Sequence, residues 1–235
     1  MRPYRLADGT HVCVTPGGSV FLDLKADAYL GLDAQQSSAL SAVVEGWPRH
    51  PDVPMDPPIA REAQEFATLL CQRGLLCEAP RGKAVLPPDI PMCVDELMAW
   101  DEMAQFRTTL GHLLSFIRAV TVALFMFQCR SLHAAVRRCE ARRRANGQRP
   151  FDSQAARRHL SAFTHLRTIF FTRRGRCLLD SLALVEFLSY HGLHPHWVIG
   201  VKPRPFAAHS WVQYGERVLN GTPSFVRTYR PILAV

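Results

Sequence analysis

Cys177 and His209 have the residue types and positions that thiol chemistry requires. Cys177 follows Gly175 and Arg176, where an amphipathic helix is predicted to begin. A helix N-terminus presents free N–H groups and a partial positive charge, and both stabilise a thiolate or a developing oxyanion. His209 precedes a predicted strand, and an imidazole there can take the thiol proton and return it. The pair therefore predicts nucleophilic attack by sulfur on a carbonyl group.

Asn220 is a candidate third member of this site. The chain is predicted to turn near Tyr214 and Gly215 and to return antiparallel, which would bring Asn220 beside His209. A polar group in that place can hold the imidazole in the productive tautomer. The order of a helix with Cys, a strand with His and a further strand with a polar residue is that of papain-like and transglutaminase-like thiol enzymes. We predict Cys177, His209 and Asn220 as the catalytic residues.

A metal or nucleotide cofactor is not predicted. His191, His194 and His196 are close in sequence, but the segment HGLHPH contains no cysteine or acidic residue and follows a predicted helix end, where the dipole favours histidine. None of the seven cysteines forms a CxxC pair, which argues against a zinc cage or redox dithiol. A Walker-type glycine-rich loop is also missing.

The elements around these residues predict an α+β fold in two parts. Short β-prone runs fill residues 4–32, helices are predicted at 33–46 and 59–74, and a strand at 75–77. This pattern is typical of a small winged-helix-like module, assigned to residues 1–80. A proline-rich segment, residues 81–93, is predicted as a linker.

Residues 94–235 are predicted to form helices followed by a small antiparallel sheet. The helical and strand segments follow from apolar periodicity and glycine breaks. The helices are predicted at 94–106, 108–128, 131–144, 153–171 and 177–191, and the strands at 197–201, 210–214 and 217–219. The stripe of Phe116, Val120, Leu124 and Phe127 is predicted as core.

The net charge of +8 comes from one segment. Residues 129–176 hold thirteen arginines against Glu140 and Asp152, whereas residues 1–80 hold six basic and ten acidic residues. A nucleic-acid-binding winged helix is therefore disfavoured. The arginines at 137, 138, 142, 143 and 144 are predicted as a solvated helix face, with a protein partner as the alternative.

The chain is predicted to be cytoplasmic and without a membrane span. Its longest apolar stretch, residues 119–127, is well short of the ~20 residues that cross a bilayer. The start of the chain lacks the apolar core of a signal peptide. The odd number of cysteines, irregularly spaced, favours a reducing compartment.

Several segments resemble the lasso-peptide biosynthesis B proteins, which are transglutaminase-like cysteine proteases that remove the leader from a ribosomally made precursor peptide. The matching segments are GRCLLDSLALVEFL, HPHWVIGV, AHSWVQYGERVLNG and YRPILAV. HVCVTPGGSVFLDLKADAYLGLD is similar to the PqqD-like precursor-recognition module that is fused to some of these proteases. The resemblance implies a leader peptidase with Cys177 as nucleophile and His209 as base.

The resemblance also implies partners and a leader-binding surface. The family acts beside an ATP-using, asparagine-synthetase-like cyclase, so ATP dependence through that partner is implied. The leader is expected against the third strand and last helix of the module, with Tyr29, Leu30, Leu32 and Phe66 as candidate leader-binding residues. An exposed strand edge is a ready template for an extended peptide.

Two departures from the family pattern leave alternatives open. The family has an acid one position after Asn220, where this chain has Gly221, and a basic residue where this chain has Asp180. Asp180 is interpreted as a helix-dipole partner rather than a catalytic acid. Asn220 takes the orienting role, or the protein is a non-catalytic scaffold that presents the precursor to the cyclase. Acyl transfer by the same residues is a further alternative.

Overall fold

A computed structural model describes residues 3–15, 17–48, 57–97, 107–146, 152–170 and 177–235. The chain divides into two units. Unit 1 comprises residues 1–88, 201–207 and 230–232, and unit 2 comprises residues 89–200, 208–229 and 233–235. The α+β class predicted from the sequence is confirmed, since both helices and sheets are present.

Unit 1 contains a three-stranded antiparallel sheet and a two-stranded one. The strands are β1 (Tyr4–Leu6), β2 (Thr10–Thr15), β3 (Gly18–Asp23), β4 (Ala28–Leu32) and β5 (Leu76–Glu78). The order β2-β3-β4 follows the chain, and β1 pairs with β5. Gly18 permits the tight turn between β2 and β3, because its φ is +130° and a Cβ there would collide with the carbonyl oxygen of Leu32.

Two helices complete the core of unit 1. Helix α1 (Ala34–Leu40) begins with a capping box, in which Asp33 Oδ1 accepts from Gln36 N at 2.8 Å. It ends well before residue 46, where the sequence predicted its end, and the chain continues in turns. Helix α2 (Pro57–Gln72) contributes the buried Ala63, Ala67 and Leu70 to the core cluster that also contains Phe21 of β3.

The segment predicted as a linker makes specific contacts. Lys83 forms backbone hydrogen bonds with Leu6 in both directions, and Val85 N donates to Glu45 O at 2.9 Å. Further on, Cys93 is buried in unit 2, with its Sγ 2.7 Å from Gln213 Oε1. The described part of residues 81–93 contains neither helix nor strand.

Unit 2 is built on a layer of helices. After the short strand β6 (Asp95–Glu96) come α3 (Leu110–Cys129), α4 (Leu132–Asn146), α5 (Ser153–Phe170) and α6 (Cys177–Tyr190). The helix predicted over 94–106 is wrong in its described part, because Asp95 and Glu96 pair in parallel with β9. Residues 98–106 lie outside the described residues.

A five-stranded sheet follows the helices. It consists of β7 (His196–Pro203), β8 (Phe206–Tyr214), β9 (Arg217–Val218) and β10 (Arg230–Ala234) together with β6, in the order β10-β7-β8-β9-β6. A short helix, α7 (Pro223–Val226), precedes β10. The predicted hairpin is confirmed, since β8 and β9 pair antiparallel with Gln213 opposite Val218. The sheet is mixed rather than purely antiparallel, because β6 joins β9 in parallel.

The arginines of α4 are not simply a solvated face. Arg138 and Arg142 reach the fully buried carboxylate of Glu186 on α6, at 2.9 and 2.7 Å. The prediction is wrong for these two residues, because a buried carboxylate requires positive partners. Arg137 and Arg144 remain more exposed and pair with Glu140 of their own helix.

Helix α3 combines a buried stripe with an exposed apolar one. Phe116, Ala119 and Ala123 are buried, whereas Leu110, Leu114 and other apolar side chains are exposed. The predicted core stripe is fully buried only at Phe116; Val120, Leu124 and Phe127 are half-buried. Among the described helices, α3 meets the criterion of length and composition for crossing a membrane, which core helices also meet.

Candidate active site and its surroundings

Cys177 is the first residue of α6, and its side chain is half-buried. The helix behind it is enclosed, since every residue from Leu179 to Leu188 is buried. The helix that carries the sulfur at its N-terminus is therefore anchored in the core of unit 2. Residues 171–176, which include Gly175 and Arg176, lie outside the described residues.

His209 lies on β8 in a partly apolar environment. Its ring centroid is 5.0 Å from that of Phe225, 5.3 Å from Tyr229 and 6.1 Å from Trp211. Burial lowers the pKa of His209 from its ordinary value, because the charged form is poorly solvated there. The ring is therefore neutral at pH 7 and able to accept a proton.

Hydrogen bonds join α6 to β8 close to both residues. Ser181 Oγ donates to the carbonyl oxygen of Ser210 at 2.9 Å, and Trp197 Nε1 donates to Ser210 Oγ at 2.7 Å. Ser181 follows Cys177 by four residues, about 6 Å along the helix, and Ser210 is adjacent to His209. The start of α6 is thus held against the part of β8 that carries His209.

Asn220 strengthens the same junction. Its Oδ1 accepts from Val212 N at 2.7 Å, and its Nδ2 donates to Ser181 Oγ at 3.0 Å. The carboxamide therefore links β8 to α6, and neither of these two bonds involves the His209 ring. The role of Asn220 as an orienting group for His209 stays a prediction.

Asp180 forms an ion pair with a residue that the sequence analysis did not identify. Arg167 Nε of α5 lies 2.6 Å from Asp180 Oδ1. Burial raises the pKa of Asp180, while Arg167 and a hydrogen bond from Asn220 oppose that shift. The sequence does not indicate this pair, because Arg167 lies on α5 and Asp180 on α6, and apolar periodicity does not show which helices pack together.

A cavity of about 180 Å³ lies beside Arg167 and Asn220. Its lining residues are Glu96, Leu160, Phe163, Thr164, Arg167, Val218, Leu219, Asn220, Gly221 and Thr222. Gly221 has no positive φ, and a Cβ there would lie 3.6 Å from Val218 Cγ1 and Val226 Cγ1, which is ordinary contact. Backbone strain therefore does not require glycine at this position.

The four candidate leader-binding residues have different environments in unit 1. Leu32 is buried in the core, and Leu30 and Phe66 are partly buried against it. Tyr29 lines a cavity of about 360 Å³, as Leu32 also does, and its ring centroid lies 5.4 Å from that of Phe206. Within the described residues, β4 pairs with β3 and with no second strand. Leader binding by these residues stays a prediction.

The histidines group differently from their order in the sequence. His191 lies with His112 of α3 and His159 of α5, and one ring nitrogen of each lies within 4.8 Å of the others. His194 and His196 are not members of this group. Burial lowers the pKa of all three clustered histidines, that of His159 to about 4. The three histidines are 47 and 32 residues apart in the sequence, so no short motif indicates that they lie together.

Two comparisons with known proteins found a match. Residues 119–234 match the family model of the transglutaminase-like superfamily. The microcin J25-processing protein McjB of Escherichia coli is 41% identical to this chain over 66 residues, which are 28% of this chain and 30% of that protein. The match thus spans less than a third of the relative's length. No solved structure matches the chain. The resemblance to lasso-peptide B proteins is confirmed by these two matches.

Proposed function

We propose, from the match of residues 119–234 to the family model of the transglutaminase-like superfamily, that this protein is a cysteine peptidase of lasso-peptide biosynthesis which removes the precursor's leader. The similarity to a protein named for processing microcin J25 supports a role in peptide processing. The observation that carries the proposal is the hydrogen bond from Ser181 Oγ to Ser210 O, which joins α6 to β8. Ser181 lies one helical turn after Cys177, and Ser210 directly follows His209.

The proposed reaction uses a thiol and an imidazole. Cys177 Sγ attacks the carbonyl carbon of the scissile bond while His209 takes the thiol proton. The C–N bond breaks, and His209 returns that proton to the departing amine of the core peptide. The leader remains as a thioester until water, deprotonated by His209, attacks it and restores the thiol. N–H groups at the start of α6 stabilise the oxyanion.

Substrate recognition is assigned to unit 1. The leader would lie as an extended strand along β4, next to the cavity lined by Tyr29 and Phe206. Main-chain hydrogen bonds supply affinity in such strand addition, and side-chain pockets supply specificity. The PqqD-like nature of this part, a cytoplasmic location and the action of an ATP-using cyclase on the cleaved product belong to the proposal as well.

The proposal is tested by incubating the full chain with candidate lasso precursors, with and without cyclase and ATP, and measuring product masses. Wild type should release the leader, and Cys177→Ala should lose activity by several orders of magnitude, because the covalent step is gone. Cys129→Ala, at the exposed end of α3, is the matched control and should cleave normally. Cleavage by Cys177→Ala at the wild-type rate would contradict the proposal.

A non-catalytic scaffold is a second candidate. Two features favour the scaffold. Gly221 supplies no acid for His209, and the carboxamide of Asn220 is hydrogen-bonded to Val212 and Ser181. A scaffold would bind the leader and leave the precursor intact under every condition, and Cys177→Ala would then bind the leader like wild type and give the same unprocessed masses.

A further inference from the structure

Three helices of unit 2 each bring one histidine to a common point. His112 lies in the first turn of α3, His159 in the middle of α5, and His191 directly after the end of α6. His112 Nε2 lies 3.1 Å from His159 Nδ1, and the rings of His159 and His191 stack at 4.0 Å. The side chain of His112 is buried and the other two are half-buried.

The cluster contains an unsatisfied nitrogen. His191 Nε2 is buried and has no hydrogen-bond partner among the described residues. An unpaired buried nitrogen is costly, because it loses its hydrogen bond to water and gains nothing in exchange. A ligand that accepts electron pairs from several imidazoles would remove this cost.

We propose that His112, His159 and His191 form a binding site for one divalent transition-metal ion of the Zn²⁺ type. Imidazole nitrogen is a preferred ligand for such ions, at about 2.0–2.1 Å. The ring nitrogens lie within 4.8 Å of one another, and ion binding would require the stacked rings of His159 and His191 to rotate until their lone pairs converge. Three protein ligands leave the fourth position to water or an exogenous ligand.

Thr109 provides the outer contact that such a histidine requires. His112 Nδ1 lies 3.1 Å from Thr109 Oγ1 and accepts from Thr109 N at 3.2 Å. On metal binding the ring proton would move from Nε2 to Nδ1 and be donated to Thr109 Oγ1, which leaves the Nε2 lone pair for the ion. The bond that Nδ1 accepts from Thr109 N would then be lost. A metal-bound histidine usually donates its other N–H to an acceptor in this way.

One histidine of the cluster borders a cavity through which an ion could approach. A cavity of about 390 Å³ is lined by Asp152, Gln154, Ala155, Arg158 and His159. Arg158 opposes a cation by its charge, but its side chain is exposed and therefore screened by solvent. The bound ion would join α3 and α5 to the C-terminal end of α6, the helix that begins with Cys177.

The site is tested on the tag-free full chain after removal of metal with a chelator. Titration with Zn²⁺ by calorimetry should show one ion per chain, and Co²⁺ should give the visible absorption of a tetrahedral complex. Zn²⁺ should also raise the melting temperature. His159→Gln should weaken binding by more than about 100-fold, since loss of an outer contact alone costs about 10–100-fold.

Two control pairs separate ligation from folding. His165→Gln, the same change six residues further along α5, should bind Zn²⁺ like wild type. Thr109→Val should weaken binding about 10–100-fold, and Thr109→Ser should restore it, although both variants alter the cap of α3. If wild type binds no Zn²⁺ stoichiometrically, or if His159→Gln binds it equally well, the site does not exist. Should His159→Gln not fold, equal Zn²⁺ affinity of Thr109→Val and Thr109→Ser overturns the proposal.

Discussion

Cys177 differs from four other cysteines of the chain in the environment of its sulfur. Burial raises the pKa of Cys93 to about 11 and that of Cys139 to about 12, and it raises the pKa of Cys13 and Cys71 as well. Thiols of this kind are almost entirely protonated at pH 7 and do not react. Cys177 is half-buried at a helix N-terminus, the position that stabilises a thiolate.

Alkylation should therefore select Cys177. With limiting iodoacetamide at pH 7, we expect Cys177 to be modified before the six other cysteines, as measured by mass mapping of the peptides. Cys129 is the internal control, because it is exposed and not at a helix N-terminus. Modification of Cys129 at an equal or greater rate would show that Cys177 is not activated.

Gly221→Asp restores the acid of the family pattern at a position that has room for it. The Cβ would make only ordinary contacts, so we expect an unchanged fold. Peptidase activity should be retained or increased where the new carboxylate reaches His209, because a carboxylate stabilises the imidazolium better than a carboxamide does. The rate of leader release and the thermal unfolding curve are the measurements. Gly221→Asn, of equal size and without charge, is the matched control.

Asn220→Ala tests the residue that the sequence predicted as the orienting group. It should slow leader release, because the hydrogen bonds of Asn220 to Val212 and Ser181 are lost. The effect should be smaller than that of His209→Ala, which removes the proposed base itself. A purely structural role would lower the melting temperature and leave the pH dependence of the rate unchanged. A shift of the acidic limb of that profile, which reports His209, would instead indicate contact between Asn220 and the imidazole.

Among the contacts between elements, the one between α4 and α6 depends on a buried charge. Glu186 is fully buried and bonded to Arg138, Arg142 and Tyr190. Glu186→Ala should lower the free energy of unfolding by about 3–5 kcal/mol, because two guanidinium groups lose their buried partner. Glu140→Ala, which removes the more exposed pairs of Arg137 and Arg144, should cost about 1 kcal/mol or less. Urea unfolding measures both, and equal losses would contradict this difference.

His196, at the start of β7, should make stability depend on pH. Burial lowers its pKa to about 4, Arg143 acts in the same direction, and Asp89 opposes the shift. The unfolded chain therefore binds a proton below about pH 6.5 that the folded chain does not. The free energy of unfolding should fall as the pH drops from about 6.5 toward 4.

The matched variant is His196→Gln. A difference of one full proton corresponds to about 1.4 kcal/mol per pH unit, and the partial exposure of His196 makes its share smaller. The variant should show a shallower decline between pH 6.5 and 4, and any offset at pH 8 gives the pH-independent cost of the change. An unchanged slope would mean that His196 does not titrate in that range.

Elements with strong local signals could be predicted from the sequence, and their contacts could not. Asp33 followed by Gln36 defines the start of α1, and the β8–β9 hairpin follows from alternation around Gly215. Strand β6 has only two residues and exists because β9, 122 residues later, supplies its partner. Apolar periodicity carries no information about such distant pairs.

The same limit applies to the candidate site. Cys177, His209 and Asn220 are visible because each stands at a recognisable place in its own element. The hydrogen bond from Ser181 to Ser210 and the ion pair of Arg167 with Asp180 each join two different elements. Such contacts depend on how the elements pack and cannot be read from the sequence of either one. The histidine cluster joins three helices in the same way, so grouping by sequence proximity selected His194 and His196 instead of His112 and His159.

At the scale of the whole molecule, unit 1 is not one continuous stretch of chain. Residues 201–207 and 230–232 belong to it together with residues 1–88. Phe206, which is half-exposed, stands against Tyr29 in the cavity proposed for the leader. A fragment ending at residue 80 would lack Phe206 and part of that cavity. Leader binding must therefore be measured on the full chain.

The Cys177→Ala background keeps the precursor intact, so binding of a labelled leader can be measured by fluorescence anisotropy. In this background Tyr29→Ala and Phe206→Ala should each weaken binding about tenfold, which corresponds to about 1.4 kcal/mol, the scale of an aromatic contact at an interface. Leu86→Ala, at an exposed position of unit 1, should bind normally. Leu32→Ala should in addition lower the free energy of unfolding, because Leu32 belongs to the core as well as to the cavity lining. Unchanged affinity in both aromatic variants would place leader recognition outside this cavity.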